Sequence, residues 1–256
     1  MNHHGKTSPP RAILIDLGDT IVDILSRDRK RGLSAVLEFA VDIPAAGPGR
    51  DELIDRLAEY GEALDGRFEA LCVRHNLEYR QLDFHRLLYG RFGIDFSIDE
   101  DRLEWEYWKA SLELAAAPGL EAALAACAAR GIRMAVISNT TYRGFVLQRE
   151  LEQLGVMHSF DFVMASADFG IRKPDPLLFE IALRRMGVRP DEAWYIGNAV
   201  PIDCAGAAVA GMVPVWYAAD DIRRGRYESE AAELPAGALT IREWAELGGL
   251  LAGIEG

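Results

Sequence analysis

RAILIDLGDT, residues 11–20, decides how the rest of the chain is read. Ala12, Ile13, Leu14 and Ile15 run without polar alternation into Asp16, and Gly18, Asp19 and Thr20 follow. An unbroken apolar run of this length marks a strand buried on both faces, as in a parallel sheet. Open α/β sheets bind ligands beyond the carboxyl ends of such strands, which is where Asp16 falls. On this stretch alone, an aspartate that begins a turn and one that serves a site are equally good readings.

Outward from that strand the pattern changes twice. Between residues 25 and 114 the apolar positions take helical spacing. Leu53, Leu57, Leu64, Phe68, Leu71 and His75 mark one long helix, and Phe84, Leu87, Leu88 and Phe92 a second. Leu103, Tyr107, Trp108 and Leu112 mark a third, and residues 29–41 another. Breakers fall at 44–49 and 90–94, and no strand is expected in this stretch. From Pro118-Gly119 onward, strands alternate with helices. Strands are predicted over 132–137, 160–165, 193–196 and 213–217, and helices over 120–130, 143–154, 176–186, 203–210 and 241–251. Gly131, Gly155, Gly187 and Gly211 sit where helix stops belong. The expected fold is a doubly wound parallel α/β sheet, residues 11–24 and 115–256, with an inserted all-helical cap, residues 25–114.

Composition narrows the partners. The chain has 256 residues, half of them hydrophobic, and a formal net charge of -12. That charge disfavours nucleic acid and anionic membrane. A small anionic substrate stays open, because a metal or local cations can reverse the sign inside a pocket. Cys72, Cys127 and Cys204 are odd in number and widely spaced, which reads as buried free thiols in a reducing, cytoplasmic compartment. Residues 1–10 lack an apolar signal core and read as a loose leader, with His3 and His4 part of it rather than a metal site.

The predicted strand ends carry Asp16, Ser138-Asn139 and Gly197-Asn198, with Asp203 shortly after the last. Lys173 lies between, in Arg172-Lys173-Pro174-Asp175-Pro176. In a parallel sheet these ends converge on one edge. A carboxylate that attacks, with a hydroxyl and an ammonium to stabilise charge on the transferred group, suits covalent chemistry on an anion. A metal on carboxylate and carbonyl oxygens would shield the like charges. Each residue also has a plainer reading: Ser138-Asn139 as a helix cap, Lys173 as a solvated charge, Asp203 as a helix-dipole acid.

DLGDT, Ser138-Asn139, KPDPLLF and GNAVPID followed by GAAVAGM, in this order, resemble the four motifs of the haloacid dehalogenase superfamily, in the subfamily with a helical cap after the first strand. The resemblance implies a hydrolase in which Asp16 is the nucleophile, Ser138 (beside Asn139) binds the transferred group, and Lys173 bridges nucleophile and substrate. Asp203 would orient Lys173 or support the metal. It implies Mg²⁺ held by Asp16, the Gly18 carbonyl, Asn198 and Asp203, and a small phosphorylated metabolite hydrolysed through an aspartyl phosphate.

Two positions depart from the family pattern. The phosphatases carry an aspartate two residues after the nucleophile, as acid and base; here it is Gly18. Asp19 is adjacent and is a candidate substitute, although one residue along the chain redirects a side chain and a turn role is as good a reading. The usual metal-binding aspartate is Asn198, which ligates without adding negative charge. Two alternatives therefore stand beside the phosphatase: a metal-independent 2-haloacid dehalogenase, and a catalytically weak protein binding a ligand or partner.

Overall fold

The computed structural model describes residues 9–42, 49–219 and 233–255. The leader at positions 1–8 and most of the break expected at 44–49 lie outside them. Strand β1, Ala12–Ile15, is buried along its whole length. Its side chains alternate between two cores: Ile13 and Ile15 join one, Ala12 and Leu14 the other. Each large apolar side chain withdrawn from water stabilises the fold by roughly 1.5–3 kcal/mol. Both faces are covered, so the sequence needs no polar alternation.

Between β1 and the returning α/β alternation, the chain builds β2 (Val22–Arg27), α1 (Arg29–Val36), β3 (Ala40–Asp42), α2 (Arg50–His75), α3 (Gln81–Phe92), β4 (Asp95–Phe96), α4 (Glu100–Ser111) and β5 (Leu112–Ala116). The four helices share a core around Leu33, Leu57, Leu64, Phe84, Leu88 and Leu103. Helical spacing predicted helix alone here, and four short strands are the difference. β2 pairs antiparallel with β5, and β3 with β4. The helix expected to reach residue 41 stops at Val36, where a 3-10 turn, Leu37–Phe39, leads into β3. Strands of two to six residues carry too few positions for a period of two to stand out from helical spacing. Both expected cap boundaries fall inside the β2–β5 ribbon.

The rest continues with α5 (Leu120–Ala129), β6 (Arg133–Ser138), α6 (Gly144–Gln153), β7 (Val163–Ala165), α7 (Ser166–Phe169), α8 (Pro176–Met186), β8 (Ala193–Gly197), α9 (Ala205–Val209), β9 (Val213–Tyr217), β10 (Leu239–Ile241) and α10 (Ala245–Glu255). The six-stranded sheet runs β10-β9-β8-β1-β6-β7, with every pairing parallel. The helix expected from residue 241 starts at Ala245 instead, and Ile241 closes the edge strand β10, whose Leu239, Thr240 and Ile241 pair with β9. The helix expected from Asp203 starts later: Val200–Cys204 is a π-helical turn leading into α9. All three cysteines are buried and free. Among the described residues no helix is long and apolar enough to cross a membrane.

β1 is central, flanked by β6 and β8. Ile15 pairs with Val136 on one side and Ile196 on the other, so Asp16, Ser138 and Asn198 leave three adjacent strands at one edge.

Candidate active site

At that edge Lys173 is the hub. Its side chain is almost fully buried, and Nζ donates to Asp16 Oδ1 at 2.6 Å, Asp203 Oδ1 at 2.7 Å and the Tyr195 hydroxyl at 2.6 Å. The Ile137 carbonyl lies 3.2 Å from it. Burial disfavours the ammonium, yet the two carboxylates hold its pKa above the ordinary lysine value. Burial pushes Asp16 up, to about 6, while Lys173 pulls it down and Asp203 adds to the rise. At neutral pH the pair is therefore a carboxylate beside an ammonium.

The surroundings explain how these groups come together. Asn139 Nδ2 donates to the Lys173 carbonyl and its Oδ1 accepts the Lys173 N–H, each at 2.8 Å. That side chain therefore fixes the lysine's backbone to the end of β6. Asp203 Oδ2 accepts the Ala199 N–H at 2.9 Å. A Cβ on Gly197 would stand 2.4 Å from Asp203 Cγ, so only glycine lets that carboxylate approach the end of β8. Both Asp203 oxygens are engaged, which fits orienting the lysine.

Sequence reasoning missed Tyr195. Strand alternation places it on the face of Leu14 and Ile137, edge-on to Phe179 at 5.0 Å between centroids. Its hydroxyl donates toward the Ile137 carbonyl, 3.1 Å away, while accepting from Lys173. A tyrosine among apolar strand residues was the available signal, since a buried phenol needs a partner.

Residues 17–22 form a tight loop in which Ile21 and Val22 both donate to the Leu17 carbonyl. Asp19 sits in it with φ 55°, the left-handed region, and Oδ1 accepts the Ile24 N–H at 3.4 Å. Gly18 has no such φ. An added Cβ there would meet only Ile24 Cδ1, at 3.6 Å.

A cavity of about 500 Å³ opens above this floor. Asp16, Gly18, Asp19, Ser138, Asn139 and Asn198 line it from the sheet side, along with Lys173 and Asp203. Arg29, Tyr79, Tyr107 and Trp108 line it from the insertion. Tyr107 and Trp108, on the third helix marked by spacing, wall the cavity while packing in different cores, Tyr107 with the insertion and Trp108 with the sheet. The insertion is tied down beside the catalytic loops. Gln81 N–H donates to the Thr141 carbonyl at 2.6 Å, and Arg172 N–H to the Asn76 carbonyl at 2.9 Å. Buried Glu104 pairs with Arg143 at 2.6 Å.

Among the described residues no group of three or more His, Cys, Asp or Glu is placed to hold a metal. A hard cation can still use neutral oxygens. Asn198 Nδ2 is buried with no hydrogen-bond partner, while Oδ1 is 3.5 Å from the Thr20 hydroxyl. Turning the amide over places its oxygen at the unpartnered position. The Asp16 carboxylate, the Gly18 carbonyl and that amide are a donor set suited to a hard divalent ion.

Residues 10–211 match the model of the haloacid dehalogenase-like hydrolases. The chain belongs to that family. A glyceraldehyde 3-phosphate phosphatase of Methanopyrus kandleri is 44% identical over 79 residues, covering 31% of this chain and 32% of the relative. The chain thus spans about a third of that relative's length. A ribulose-1,5-bisphosphate 5-phosphatase of Halopiger xanaduensis is 27% identical over 239 residues, 91% of this chain and 92% of the relative. Among solved structures, a 2-haloacid dehalogenase of Pseudomonas syringae pv. tomato superposes with a TM-score of 0.63 at 23% identity, covering 94% of this chain and 98% of the other. That likeness is one of fold.

Proposed function

We propose that this chain is a Mg²⁺-dependent phosphatase that hydrolyses a small phosphorylated metabolite through a phosphoryl group carried on Asp16. The carrying observation is the buried Asp16–Lys173–Asp203 chain, 2.6 and 2.7 Å, at the floor of the cavity. Phosphatases among the relatives that match most of the chain support phosphate as the transferred group.

On this reading Asp16 attacks phosphorus and Ser138, buried at the end of β6, donates to a phosphoryl oxygen. Lys173 offsets the charge shared between nucleophile and phosphoryl group. Asp203 and Tyr195 hold the ammonium, and Asn139 holds its backbone. Mg²⁺ would rest on Asp16, the Gly18 carbonyl and Asn198, and would neutralise charge on the transferred group. We read residues 11–24 and 115–256 as the catalytic core and 25–114 as the cap that closes the cavity. Three buried thiols and a net charge of -12 fit a cytoplasmic protein with small-molecule rather than nucleic-acid partners.

Release of inorganic phosphate with Mg²⁺, lost in Asp16→Asn and on chelation, is the expected result. An Asp16→Asn variant that still turns over refutes the mechanism.

A further inference from the structure

We propose that the preferred substrates are acyl phosphates, in which the departing oxygen leaves as a carboxylate, rather than alkyl phosphate esters. This rests on the phosphatase reading and deepens it. An alkoxide is strongly basic, and the acid that protonates it contributes about 10²–10⁴ in rate. A carboxylate needs no such proton. The decisive feature is what the cavity walls offer as a proton donor.

Gly18 offers none. Asp19 holds the loop: its backbone is left-handed and its carboxylate accepts the Ile24 N–H. The insertion's acids are engaged by donors as well, and Glu78, whose pKa burial raises, also faces Arg172. Asp28 accepts the Arg31 N–H at the start of α1, Asp65 accepts from Arg29 and Tyr79, and Glu78 accepts from Ser166 at 2.9 Å. Glu69 is a solvent-exposed side chain on α2. No histidine lines the cavity among the described residues. The phenols of Tyr79, Tyr107 and Tyr142 are poor donors, because burial raises all three pKa values above the ordinary tyrosine range.

The step balances without a proton. An Asp16 oxygen forms a bond to phosphorus as the bond from phosphorus to the acyl oxygen breaks, and the electron pair leaves on the carboxylate. Water then attacks phosphorus, restoring the Asp16 carboxylate and releasing inorganic phosphate, with the water proton passing to solvent.

The test measures phosphate release by the full chain with Mg²⁺ from acetyl phosphate and from glycerol 1-phosphate, after subtracting spontaneous hydrolysis. We expect kcat/KM for acetyl phosphate to exceed that for glycerol 1-phosphate by about 100-fold or more. Asp19→Asn should lower both by a common factor, as a loop residue would. Rates within tenfold of each other, or a selective loss of the alkyl substrate in Asp19→Asn, overturn the inference and leave the phosphatase reading standing. No release from either substrate, with no phosphorylated Asp16 by mass spectrometry, overturns both.

Discussion

Gly18→Asp should convert the acyl preference into a general phosphatase activity. The space exists: a Cβ at position 18 makes one ordinary contact, 3.6 Å to Ile24 Cδ1, and the backbone there is not left-handed. The new carboxyl would join the cavity wall two residues after the nucleophile. A placed general acid lowers the barrier for an alkoxide leaving group by about 3–5 kcal/mol, the equivalent of 10²–10⁴ in rate. For acetyl phosphate the gain should be under about threefold, since the leaving group already departs as a stable anion. The cost to the fold is small. Replacing glycine outside a left-handed position removes unfolded-state freedom worth about 0.5–1 kcal/mol, which offsets repulsion from Asp16 and Asp19. Parallel kcat/KM measurements on both substrates, with urea unfolding of both proteins, separate the terms. Equal gains on the two substrates, or no gain on the alkyl ester in a variant as stable as the parent, would refute the reasoning.

Three other changes probe the rest of the site and the insertion. Asn198→Asp adds a charge to the proposed cation site and should lower the Mg²⁺ concentration for half-maximal activity by about tenfold or more, read from a metal titration. Tyr195→Phe removes one hydrogen bond to a buried ammonium, typically about 1.5–3 kcal/mol; kcat should fall about 10- to 100-fold with KM little changed. His85, buried on α3 with Gln81 as its hydrogen-bond partner, has its pKa lowered to about 3, by burial first and then Arg29. The unfolded chain protonates it near 6.5 while the folded chain does not, so its contribution is intact above that pH and is lost as pH falls toward 3. Between pH 7 and 5 the parent should lose about 2 kcal/mol more stability than His85→Phe, measured by urea unfolding.

How much of this was legible beforehand depended on how local each signal was. β1 and α8 announce themselves: four buried apolar residues on one strand, and Pro176 at the start with Gly187 just past the end of one helix. The short strands do not. β10 is strand because Leu239–Ile241 meet β9, a partner more than twenty residues upstream. The site divides in the same way. Asp16, Ser138, Lys173 and Asp203 stand at positions that chain order and motif spacing pick out. Tyr195 joins them only through strand alternation on β8 and a hydrogen bond to a lysine from another loop. Asn139 was legible as a site residue but not in its role, which follows from two bonds to the Lys173 backbone.

The loop after β1 also bears on why its residue order matters. Asp19 stands at the left-handed position, and Gly18 at an ordinary one, so the backbone's demand for glycine falls one residue later than the sequence supplies it. Aspartate tolerates that conformation better than most residues, at a cost of roughly 1–2 kcal/mol relative to right-handed backbone. The order removes a carboxylate from position 18, and Asn198 removes another from the end of β8. Both changes have one sign. They take negative charge away from the space beside Asp16, leaving Lys173 against two carboxylates, Asp16 and Asp203. A site stripped of its proton donor is thus also stripped of groups that would oppose an anionic leaving group. Gly18 withholds the proton that an alkoxide leaving group needs, whereas a carboxylate leaving group needs none.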